Sequence, residues 1–200
     1  MPDYHLPLLP GEEYHVLSRA VGSEKLFRNG NNYAFFLSRY TRHITPVADT
    51  YCYCLLPNHF HCLVKIKDEA HLERHFREVK RHKHFSTELL PDFIMERFGN
   101  LLNSYAKAYN KMYSRKGGLF IDYLRRKQVE SDEQFRATVR YIHNNPVHHG
   151  YCTDLGKWNW SSYHAMRSGE PTWLLRAEVL EAFGGLNGFE KFHGQPGQDL

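Results

Sequence analysis

Cysteine is scarce and badly placed for cross-linking. Four cysteines in 200 residues include no CxxC pair, which argues against both a disulfide framework and a zinc ribbon. Cys52, Cys54 and Cys62 fall in one strand-like run, where reduced, partly buried thiols are the simpler reading, and Cys152 stands apart. No apolar stretch reaches the roughly 18 residues that a membrane span requires, and none follows a basic N-terminal start. The expectation is a cytoplasmic protein with no membrane partner. A phosphate-cradling GxxxxGK[ST] loop is missing. Internal repeats and low-complexity tracts are absent as well. Neither sign of charge dominates: the formal net charge is +4, a mild hint of a polyanionic partner.

What is present is enough for a core. Apolar residues make up 42% of the chain and charged residues 24%, as in ordinary soluble domains, while aromatics reach 14% and histidines number fourteen. Residues 1–12 carry three prolines and read as an extended arm. Glu13–Val21 alternates like a strand. Asn32–Ile44 has apolar residues at helical steps, with Asn32 available as its cap. Ala48–Leu56 and His59–Ile66 read as strands joined by the Pro57-Asn58 turn, a hairpin. Lys67–Leu89 is polar and histidine-rich, and a short helix and a loop are expected there. Phe93, Phe98, Leu101, Leu102, Tyr105, Tyr109 and Met112 mark a long amphipathic helix that should stop at Gly117-Gly118. Leu119–Arg126 is the fourth strand candidate. A last helix opens on the capping box Ser131–Gln134 and should end before Pro146.

The order β-α-β-β-α-β followed by a helix predicts an α+β, ferredoxin-like fold, with a four-stranded antiparallel sheet and helices on one face. Residues 1–165 are expected as one domain, 67–91 as an inserted basic segment within it, and 166–200 as a C-terminal extension.

Three groups of residues could carry chemistry. On the second hairpin strand, His59 and His61 share a face, while Phe60, Cys62, Val64 and Ile66 share the other. The apolar set must face the core, which puts both imidazoles on the open side of the sheet. Two imidazoles side by side can chelate a divalent ion, and equally can be plain surface. On the last helix, Tyr141 and Asn145 lie one turn apart on a common face. The phenol is a nucleophile if activated, and the amide oxygen suits a hard ion. Packing alone would also account for both. Third, Lys107, Lys111, Arg115, Lys116, Arg125, Arg126 and Lys127 are interleaved with Tyr105, Tyr109, Tyr113 and Tyr123, with Asp122 the one acid among them. Cations that meet phosphates and aromatics that stack on bases suit single-stranded nucleic acid, though a solvated helix end would look similar.

Together these pieces resemble a known family. "LLPNHFHCLV" resembles the His-hydrophobic-His motif of the single-tyrosine HUH transposases. "GGLFIDYLRRKQVESDEQFRATVRYIHNNPVHHGY" followed by "WNWSSY" resembles their REP-associated tyrosine transposase branch. The motifs run from about Tyr14 to Tyr163, in the family's order. The resemblance implies a ferredoxin-like core and a metal-dependent enzyme that cuts and rejoins single-stranded DNA near hairpins through a 5′-phosphotyrosine. It implies Tyr141 as nucleophile, and His59, His61 and Asn145 as ligands to magnesium or manganese. It also implies a monomer or a homodimer. Insertion-sequence members carry Gln in place of Asn145, Ile121 stands where Gln often follows "LF", and the Lys67–Pro91 segment is longer than the usual linker. Rival readings are a non-catalytic or domesticated single-stranded nucleic-acid-binding protein of this fold, and a zinc protein built on His71, His75, His82 and His84. The zincin pattern fails at Leu72, where Glu is required.

Overall fold

The computed structural model describes residues 6–121 and 124–194. Asp122, Tyr123, the first five residues of the arm and the last six of the extension lie outside the described residues.

The hairpin is the centre of the fold. Strands β2 (Ala48–Leu56) and β3 (His59–Ile66) are antiparallel, and β1 (Glu13–Arg19) pairs with the other side of β3. A short β4 (Arg125–Gln128) closes the edge beside β1, which gives the sheet order β2-β3-β1-β4. All pairings are antiparallel, as the ferredoxin-like plan requires.

One face is covered by α1 (Gly30–Ile44) and α3 (Leu90–Met112), with α2 (Glu69–Val79) against α3. Phe60, Cys62, Val64 and Ile66 point into this layer beside Phe36, Tyr40, Phe98 and Tyr105. The other face is covered too. Helix α4 (Asp132–His148) lies on β2 and β3, and α5 (Tyr163–Arg167), α6 (Arg176–Ala182) and α7 (Leu186–His193) pack behind it. Leu63, Cys54 and Leu56 meet Phe135, Val139, Ile142, Val179 and Phe189 in a second core. The expectation of helices on one face is therefore corrected: the histidine face is roofed by α4, and the residues beyond 165 supply much of the roof.

Element boundaries shifted where side chains found other work. Asn29, not Asn32, caps α1, its side chain accepting from the Asn32 backbone N–H. Asn32 is buried within the first turn, and its side-chain Oδ1 accepts from Arg28 N and from the Tyr113 hydroxyl. Helix α3 begins earlier, at Leu90, with Pro91 in its first turn, where a missing N–H costs nothing. It stops at Met112 rather than at the glycine pair, and Ser114 and Gly117 take positive φ beyond it. Strand β4 begins later than expected. Phe120 makes an isolated bridge to Ala20, and the regular pairing with β1 begins at Arg125 opposite Leu17. Helix α4 runs through Pro146 to His148. Burial of Asn145 and Pro146 under the roof outweighs the local preference to stop before proline.

Candidate functional site

The Pro57-Asn58 turn is held from outside the hairpin. Pro57 O accepts from Leu26 N at 2.7 Å and Phe27 N at 3.1 Å, and Asn58 O accepts from Ala20 N at 2.8 Å. These bonds fix the start of β3, and with it His59. His61 lies opposite Leu17 of β1, and His15 of β1 lies opposite Leu63. Because side chains alternate, His15, His59 and His61 emerge on one face.

There they form a cluster. His15 Nε2 and His61 Nδ1 are 2.9 Å apart, with the rings nearly parallel at 28°. The rings of His59 and His61 are 5.1 Å apart and close to perpendicular. His59 Nδ1 donates to Asn58 Oδ1 at 2.7 Å, which leaves the lone pair on Nε2. When His61 Nδ1 donates to His15 Nε2, the same holds for His61. Each imidazole then has one nitrogen engaged and the other free, the arrangement that orients metal-binding histidines.

Helix α4 brings Tyr141 onto the cluster. Its ring stands edge-on to His61 at 5.7 Å and to His15 at 5.8 Å. Asn145 follows one turn later and is 1% exposed. Its Nδ2 donates to the Tyr141 carbonyl at 2.7 Å, while its Oδ1 is buried without a hydrogen-bond partner. A buried carbonyl oxygen left unpaired is costly unless something supplies a positive partner. The His59 ring is the neighbour that approaches Asn145 closely enough to interact with its side chain, a contact that opposes the lowering of the His59 pKa without forming a well-aligned hydrogen bond.

Burial governs the charge state of the cluster. It lowers the His59 pKa to about 4, helped by His149 and Arg19. It lowers His15 to about 4, with Lys127 adding to the effect. His61 falls well below the ordinary histidine value through burial and through His15, His59 and His149. All three are therefore neutral near pH 7, the form that binds a metal.

The donors gathered here are two neutral imidazole nitrogens, which suit a borderline ion, and one amide oxygen, which suits a hard one. Among the described residues, no group of three or more His, Cys, Asp or Glu side chains could hold a metal ion. The third donor here would be an amide, outside those four types.

The seven expected phosphate-binding cations separate. Arg125 and Lys127 lie on β4 opposite Leu17 and His15, on the cluster's face. Lys107, Lys111 and Lys116 are exposed on or just beyond α3, across the sheet from the cluster. Arg115 is tied to Glu24 at 3.0 Å and to Asn110 at 3.1 Å. Arg126 is buried, its guanidinium donating to the carbonyls of Leu6 and Leu124, so it holds the N-terminal arm. His71 and His75 lie on α2, where the His75 ring packs 5.6 Å from Phe93.

A comparison with protein-family models found no match, and no curated protein matches the chain. A solved structure of a REP-associated tyrosine transposase bound to a REP hairpin does match, with a TM-score of 0.62 over 86% of this chain and 89% of that one. The two proteins share a fold. At 15% sequence identity the likeness to this transposase is one of architecture.

Three residues around the site were not anticipated. His15 supplies the third imidazole, His149 stands 5.0 Å from His59, and exposed Arg19 lies opposite His59. The alternation in "EYHVLSR" already put His15, Leu17 and Arg19 on one face. The missing information was the register that sets β1 beside β3.

Proposed function

We propose that the protein is a metal-dependent single-stranded DNA endonuclease and strand transferase that performs DNA transposition chemistry on hairpin-flanked DNA. The observation that carries this reading is the Tyr141 ring packed edge-on against two neutral imidazoles, His61 and His15, with the orphaned Asn145 oxygen one turn away. The fold shared with a transposase bound to a hairpin supports it.

In this reading the Tyr141 phenol oxygen attacks a backbone phosphorus. The bond from phosphorus to the 3′-oxygen breaks, leaving a 5′-phosphotyrosine and a free 3′-hydroxyl. The phenol proton passes to solvent water, because His61 is committed to His15 through one nitrogen and would hold the metal through the other, and the departing 3′-oxygen takes a proton from water. The tyrosyl phosphodiester keeps the energy of the bond it replaces, so a second 3′-hydroxyl reverses the step and joins a new strand. His59, His61 and Asn145 would hold magnesium or manganese, which supplies polarisation of the scissile phosphate and offsets charge on its oxygens. Lys127 and Arg125 flank the cluster on the sheet side and would position neighbouring phosphates.

The test is cleavage of a hairpin-bearing single-stranded oligonucleotide with magnesium or manganese. Cleavage that disappears with EDTA and in His59→Ala supports the reading. Undiminished cleavage by His59→Ala removes the metal assignment.

A further inference from the structure

The aromatic rings do not stop at the candidate site. From His59 the His149 ring is 5.0 Å away, the Tyr151 ring is 6.4 Å beyond that, and the Trp158 ring a further 5.6 Å. Trp158 meets Tyr33, which is stacked on Trp160 at 4.5 Å and 8° and closes the inner end. The outer members are open to solvent: His149 is exposed, and Tyr151 is 41% exposed.

Backbone bonds hold this row rigidly. The chain leaves α4 through a turn in which Gly150 takes φ +70° and Tyr151 N donates to Pro146 O at 2.8 Å. Trp158 Nε1 donates to Leu55 O at 3.0 Å, and Leu55 N donates to Trp160 O at 2.9 Å. Leu55 is separated from His59 only by Leu56 and the Pro57-Asn58 turn. The row is thus fastened to the strand that leads into the site, and exposed Lys157 lies beside Trp158.

Rings in series, exposed at His149 and Tyr151 and half-buried at Trp158, held at a fixed distance from a site that handles a DNA backbone, suit the flat faces of unpaired bases. We propose that His149, Tyr151 and Trp158 form a stacking track for the unpaired bases next to the scissile phosphate. This rests on the proposed function and adds to it the path by which the single strand runs away from the site. Stacking tolerates any base, so the track contributes affinity and register rather than sequence reading. It also accounts for Tyr151, three residues beyond the helix that carries the nucleophile, being left 41% exposed.

The test is equilibrium binding of a fluorescent single-stranded oligonucleotide, with an abasic site moved one position at a time. Tyr151→Ala is expected to weaken binding by on the order of ten-fold, and Tyr151→Phe to retain it. One abasic position should weaken the wild-type protein by a similar factor and leave Tyr151→Ala no weaker than before. Wild-type affinity in Tyr151→Ala overturns the track. So does an equal abasic penalty in both proteins, which would place that base elsewhere. Covalent adduct formation is scored separately. Binding with the abasic coupling but no adduct keeps the track and removes the phosphotyrosine reading. An adduct without the coupling does the reverse.

Discussion

At the residue scale, the site depends on which nitrogen each histidine presents. Asn58 fixes His59, and His15 does the same for His61 across the gap between β1 and β3. His15→Leu should lower the affinity of the DNA-free protein for manganese by roughly 10- to 100-fold, with little change in melting temperature. Calorimetric titration checks this, and unchanged affinity would show that His61 needs no support. The basic residues divide in the same way, by what they touch. Lys127 has its charge beside the cluster, so Lys127→Ala should reduce the salt dependence of single-strand binding, with the slope of log K against log salt falling by about 0.7. Arg126→Ala should leave that slope alone and cost about 2–3 kcal/mol of stability in urea unfolding, because the Leu6 and Leu124 carbonyls lose a charged donor. Composition could not separate Arg126 from its neighbours. Only the alternation of β4, known once its register is known, turns Arg126 inward and Lys127 outward.

At the scale of elements, α4 was the most legible. Ser131 accepts from Gln134 N at 3.3 Å, and the Gln134 side chain reaches back to Glu130 N, so the capping box forms with its return bond one residue early. The line Phe135, Val139 and Ile142 packs inward, which turns Tyr141 toward β1 and β3. The hairpin was equally plain, because a polar pair between two apolar alternations leaves few other arrangements. The direction of the histidines was only half legible. Alternation separated them from Phe60 and Cys62, but a sequence does not announce that its second face is also covered. The signal lay in Leu63 sharing their side, and in the apolar residues beyond 165 that had no other surface to fill. Strand β4 was misplaced because "LFIDYL" has strand composition, while the regular pairing falls on the polar "RRKQ" that follows.

At the scale of the molecule, two cores share one sheet, and the second depends on the C-terminal helices. His143 Nδ1 and His193 Nε2 lie 3.0 Å apart, and His143 Nε2 meets Ser162 Oγ at 2.8 Å, joining α4, α7 and the segment before α5. Burial lowers the His193 pKa to about 4. Its folded-state pKa is below the unfolded value near 6.5, so the unfolded chain binds more protons between these pH values. Stability is therefore full above about pH 6.5 and falls as pH drops toward 4, by on the order of 3 kcal/mol from this group. Urea unfolding from pH 7 to pH 4.5 should show this loss, and His193→Gln should flatten the curve by that amount relative to wild type. Identical slopes would mean that folding does not depress the His193 pKa.

The central claim is that Tyr141 forms a covalent bond to DNA. The most direct measurement is mass spectrometry of the protein after incubation with hairpin-bearing single-stranded DNA and magnesium. The expected result is a denaturation-resistant adduct whose digested peptide carries a 5′-phosphorylated nucleotide on Tyr141, absent in Tyr141→Phe although that protein still binds the strand. An adduct that persists in Tyr141→Phe, or one mapped to another residue, would contradict the account.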